Sequence, residues 1–105
     1  MSGSLSHSET TQIFMVNSPH EHKMTFEFEY KKSGEIWRVY ILNSPDYQSR
    51  PTDLHNTNRV MDEDGKYYVS WLPDLFKFEK AVEVSKLWAK GTANYIDTGN
   101  FTPNY

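Results

Sequence analysis

Apolar residues recur along this chain with two different periods, and each period marks a different kind of element. From Met24 to Tyr30 the alternation is strict: Phe26, Phe28 and Tyr30 point one way, Thr25, Glu27 and Glu29 the other. Period two is the mark of a strand with one buried face. Ile36 to Leu42 repeats it, with Trp37, Val39 and Ile41 on the apolar side and Arg38 and Tyr40 opposite. Between them, Lys31-Lys32-Ser33-Gly34 is turn chemistry, Gly34 being free to take a positive φ. The two strands read as a hairpin. A second hairpin follows from Arg59-Val60-Met61, a turn over Asp62-Glu63-Asp64-Gly65, and Lys66 to Leu72. Its later strand places Tyr67, Val69 and Trp71 on one side and Tyr68 and Ser70 on the other. Asp64-Gly65 is the strongest short-range hairpin signal in the chain.

From Lys77 to Thr98 the period lengthens to that of a helix. On a wheel turning 100° per residue, Phe78, Ala81, Val82, Val84, Trp88, Ala89, Ala93, Tyr95 and Ile96 fall on one half, with Ser85 and Thr92 among them. Glu79, Lys80, Glu83, Lys86, Lys90, Asn94 and Asp97 fill the other half, and only Leu87 and Gly91 blur the division. A half-apolar helix is not stable alone in water, so a sheet has to cover it. Asp74, or less typically Lys77, is placed to cap its start, and Gly99 to end it. Glu79 and Glu83 near the start and Lys86 and Lys90 further along suit the helix dipole. The width of the apolar arc, with Leu87 and Gly91 outside it, fits partial burial in a dimer.

These elements predict an α+β domain: a four-stranded antiparallel sheet made of two hairpins, with one long C-terminal helix packed on one face, in the order ββββα. The domain runs over residues 22–99. Residues 1–21 are expected to form a mostly disordered arm, in which Ile13-Phe14-Met15-Val16 could add an edge strand or dock on a partner. Residues 100–105 form a short tail. The expected core is Phe26, Phe28, Tyr30, Trp37, Val39, Ile41, Tyr67, Val69 and Trp71 from the sheet, against Phe78, Val82, Trp88, Ala89 and Ile96 from the helix.

Composition narrows the function classes. A chain of 105 residues supports one domain. It contains no cysteine, which excludes disulfide frameworks, zinc ribbons and thiol catalysis. The first dozen residues lack a basic region followed by an apolar run, and no stretch is long enough to span a bilayer, so a cytoplasmic protein without membrane attachment is expected. A net charge of −3 disfavours a generic nucleic-acid binder.

Candidate chemistry concentrates in two places. The first is the long polar connection from Asn43 to Asn58, shaped by Pro45 and Pro51. Arg50 and Arg59 with His55 would bind a phosphate or carboxylate, with Tyr47 stacking on an attached ring and Asp53 nearby. The competing reading of Arg59 is a surface pair with Glu27, Glu29 or Asp62, which contributes little. Ser44, Ser49, Thr52, Asp53 and His55 also offer a nominal nucleophile, base and carboxylate, but such triads are assembled in space rather than along one loop. Local side-chain-to-backbone bonds are the better reading of Asp53, Thr52 and Ser49.

The second place is the outer sheet face, where Arg38, Tyr40 and Tyr68 are of the types enriched at interfaces. No metal centre is expected: His20-x-His22 has no third ligand nearby, and Pro73 stands where a calcium loop starting at Asp62 needs its bidentate glutamate. No phosphate loop, H-E-x-x-H or G-x-S-x-G motif is present, and no cofactor is implied. The reading is therefore a small non-enzymatic interaction module. It would contact a protein partner or a second copy through the 43–59 loop and the outer sheet face. The alternative is a binder of a small anion, possibly a nucleotide, through Arg50, His55 and Arg59; a hydrolase ranks third.

Overall fold

The computed structural model describes residues 11–71 and 73–101. Strands β1 (Thr11–Asn17), β2 (Lys23–Ser33) and β3 (Ile36–Asn43) lead into a one-turn helix α1 (Leu54–Thr57). Strands β4 (Arg59–Met61) and β5 (Tyr67–Val69) follow, and a long helix α2 (Phe78–Thr98) comes last. All pairings are antiparallel, in the order β1-β2-β3-β5-β4. Helix α2 packs across the face that carries Phe26, Phe28, Tyr30 and Val39.

The fold class is the α+β arrangement anticipated, but among the described residues the sheet has five strands rather than four. The extra strand is β1, built from the Ile13–Val16 cluster and paired along β2 from Thr11↔Glu29 to Asn17↔Lys23. This register turns Gln12, Phe14 and Val16 toward the helix and leaves Ile13 and Met15 on the open face, 62% and 71% exposed. Phe14 meets Phe28 at 6.1 Å between ring centroids. So short an apolar run has no stability of its own. It becomes a strand because β2, at 11 residues, offers it an unpaired edge.

The second hairpin is shorter than its alternation suggested. Strand β5 covers only Tyr67–Val69 and meets β3 at the single pair Tyr40↔Tyr68. Beyond it the chain leaves the sheet, and the Trp37 amide instead donates to the Leu75 carbonyl at 2.8 Å. Leu75 is thereby buried in the core. Helix α2 begins after Lys77, whose side chain makes no cap; the Lys77 carbonyl accepts from the Lys80 and Ala81 amides. At the other end Gly99 takes φ 86° and its amide donates to Tyr95 O at 2.7 Å, as its position past the helix requires.

Trp88 is the centre of the core. Phe26 and Phe28 present their rings edge-on to it at 6.0 and 5.8 Å, the geometry favoured by aromatic quadrupoles. Its indole N–H donates to the Thr57 carbonyl at 3.0 Å, tying α1 to α2. Met24, on the Phe26 side of the β2 alternation, joins this core, as do Tyr47 and Leu75, which no alternation marked. Trp37, Ile41 and Trp71 pack at its margin, and Tyr67 stays half-buried. On α2 the buried set is the predicted arc with Gly91 added and without Phe78 and Val82, which pack half-buried at the core's margin. The Phe101 ring lies directly over Gly91, where a Cβ would come within 2.5 Å of it. The chain's own C-terminal segment thus covers this part of the helix.

Candidate functional site

The connection from Asn43 to Asn58 is tied down by its polar side chains. Asp53 caps α1: its carboxylate accepts from the Asn56 side chain at 2.7 Å and from the Asn56 amide at 3.2 Å, which lowers its pKa. The Asn58 backbone takes the left-handed conformation and ends the turn. Tyr47 is buried, its ring 6.1 Å from that of Tyr95, and burial raises the pKa of its phenol. The Tyr95 hydroxyl donates to Pro51 O at 2.7 Å.

The two arginines of this segment face different ways. Arg50 reaches the end of α2, donating from Nε to Ile96 O at 3.1 Å and from Nη2 to Asp97 O at 3.0 Å. Arg59 lies over the Tyr67 ring, its Cζ 3.8 Å from the centroid, with the Tyr47 centroid at 5.0 Å. It donates from Nε to Thr57 Oγ1 at 3.2 Å and makes no ion pair with Glu27, Glu29 or Asp62. His55 stands exposed on the last turn of α1. Arg59 and Tyr47 are therefore brought together, while Arg50 is committed to helix carbonyls.

The outer sheet face is organised differently. Among the described residues no helix covers it, and its polar side chains bond to one another. The Tyr40 and Tyr68 rings pair across the strands at 5.6 Å. Arg38 sits over Tyr68 at 4.3 Å and donates from Nη1 to the Tyr40 hydroxyl at 3.2 Å. That hydroxyl in turn donates to Asp62 Oδ2 at 3.0 Å. The Asp62 carboxyl is held below its ordinary pKa first by the Lys66 amide, then by Tyr40 and the Asp64 amide. Lys31 adds its ammonium 5.4 Å from the Tyr40 ring. The three residues expected at an interface thus form one connected patch, with Asp62 from the β4–β5 turn as its anchor. Leu72, the last residue of the expected strand, lies outside the described residues.

A further polar cluster escaped the sequence reading. Asp97, in the last turn of α2, is enclosed by the β1–β2 turn. It accepts from the Ser18 hydroxyl, from the His20 amide at 2.9 Å and from the His22 ring nitrogen at 3.3 Å. The first of these contributes most, and the carboxyl is lowered to a pKa of about 2. The signal that could have revealed it is electrostatic: an acid at the negative end of a helix is unfavourable unless donors surround it. Among the described residues no group of His, Asp and Glu is arranged to hold a metal ion, and no helix is long and apolar enough to cross a membrane.

Comparison of the chain with protein-family models, with curated proteins and with solved structures finds no match.

Proposed function

We propose that this domain is a small protein-interaction module whose contact surface is the outer sheet face around Arg38, Tyr40 and Tyr68. The observation that carries the reading is the connected patch itself. Two tyrosines and an arginine are held in place by Asp62 before any partner arrives. Side chains already fixed by such contacts lose little further entropy on docking, and tyrosine and arginine are the types enriched at interface hot spots. The 43–59 loop supports the reading less, because Arg50, Tyr47 and Asp53 there hold α1 and α2. The same commitments leave an anion at Arg50, His55 and Arg59 as the weaker alternative.

The test is affinity capture from the native cell, with the wild type run beside Arg38→Ala and Tyr68→Ala. A partner retained by the wild type and lost by both variants, at unchanged unfolding midpoint, supports the assignment. A partner held equally well by all three proteins moves the contact elsewhere.

A further inference from the structure

The sheet order leaves two edges, β1 and β4. Edges are ready templates for another strand, and proteins blunt them with short strands, charges or proline. Strand β4 follows that rule with three residues. Strand β1 does not: it runs for seven residues, Thr11–Asn17, with neither charge nor proline. Among the described residues nothing pairs with its far side. On the open face it presents Ile13 and Met15. On the helix face, Phe14 and Val16 form the floor of a groove of about 510 Å³ that α2 overhangs with Lys86 and Lys90. Lys86 Nζ is 5.5 Å from the Phe14 ring, and neither lysine pairs with a carboxylate among the described residues.

We propose that the β1 edge receives an extended acidic segment of another protein as a sixth strand. The segment's carboxylates lie toward Lys86 and Lys90, and its apolar residues lie against Ile13 and Met15. Main-chain hydrogen bonds provide the attachment and alternate side chains the selectivity. Charge decides between occupants. A second copy related by a two-fold axis would bring its own Lys86 and Lys90 to the same seam, opposing like charges over an apolar floor. An acidic strand neutralises them. The open face carries both signs of charge, with Glu27 opposite Ile13, Lys23 opposite Asn17 and Glu29 paired with Lys31 at 3.8 Å, so what this side offers the incoming strand is the apolar surface of Ile13 and Met15. The site lies at the other end of the sheet from Tyr68 and does not depend on the reading of the outer face.

The experiment uses two end-capped, fluorescein-labelled heptapeptides, one alternating Glu and Val and one alternating Lys and Val, titrated by anisotropy. The wild type is expected to bind the Glu–Val peptide roughly tenfold or more tightly than the Lys–Val peptide, with the difference shrinking as salt rises. Lys86→Glu with Lys90→Glu should reverse the preference, and Lys86→Gln with Lys90→Gln should abolish it. Both lysines are exposed, so the variants should unfold at the wild-type midpoint. Equal binding of the two peptides, binding of neither, or no reversal in the glutamate variant overturns the proposal. So does sedimentation showing a dimer that excludes the peptide.

Discussion

Removing the Arg50 guanidinium should detach the long β3–β4 connection from the end of α2. Its two donated bonds, to Ile96 O and Asp97 O, satisfy carbonyls that the helix itself cannot pair. The cation also lies at the negative end of the helix dipole, worth about 0.3–1 kcal/mol. A hydrogen bond from a charged donor contributes about 1.5–3 kcal/mol. Arg50 is only partly buried, so water replaces some of what is lost. Arg50→Ala is therefore expected to cost about 2–3 kcal/mol, below the roughly 3–7 kcal/mol that two fully buried bonds and the dipole would give together. In a domain of this size that lowers the melting temperature by about 8–20 °C. Equilibrium urea unfolding followed by tryptophan fluorescence measures it directly, since the chain has three tryptophans. Arg50→Lys keeps the charge but lacks the planar fork, and should recover only about 1 kcal/mol. The reasoning fails if Arg50→Ala costs under about 0.5 kcal/mol, the level of an ordinary surface substitution. It also fails if lysine serves as well as arginine.

Two further outcomes follow from buried or enclosed polar groups. The Tyr30 hydroxyl meets Ser85 Oγ at 2.7 Å, and Ser85 donates onward to Val82 O at 2.6 Å. Ser85→Ala strands a buried phenol and should cost about 1–3 kcal/mol, whereas Tyr30→Phe leaves Ser85 bonded and should cost about 1 kcal/mol; a reversed order in urea unfolding would sink this account. Asp97 has its pKa lowered to about 2 by Ser18, His20 and His22. Its contribution is complete above the unfolded carboxylate value of about 3.9 and is lost as pH falls through about 2. Melting temperatures measured from pH 6 to pH 2 should therefore fall less steeply for Asp97→Asn than for the wild type, and parallel curves would count against the enclosure.

Much of the architecture was legible because period alone assigns sides. The arc through Ala81, Val84, Ser85, Trp88, Ala89, Thr92, Ala93, Tyr95 and Ile96 is the buried face of α2. The alternation in β2 and β3 likewise separates Phe26, Phe28, Tyr30 and Val39 from Glu27, Glu29, Arg38 and Tyr40. It placed Arg38, Tyr40 and Tyr68 on one surface, where they meet. Strand β1 was less legible because a short apolar run has no period to measure. Its strand character depends on the edge that β2 offers. Tyr47 gave no signal of burial, since its neighbours in sequence are polar and its ring finds Tyr95 48 positions away.

What the chain determined by itself is local: which residues share a face, where turns open, and where the long helix starts and stops. Those properties follow from neighbours two to four positions apart, whose relative directions the backbone geometry sets. What only the tertiary structure decided is which unspent donor meets which acceptor. Arg50 offered five N–H groups that suited an anion or a carbonyl equally well. Chain closure put the end of α2 beside them, so a residue that resembled a ligand clamp became a helix cap. The same closure enclosed Asp97 in the β1–β2 turn and left the far side of β1 open among the described residues. Each outcome depends on contacts between residues tens of positions apart, and periodicity along the chain carries no information about those.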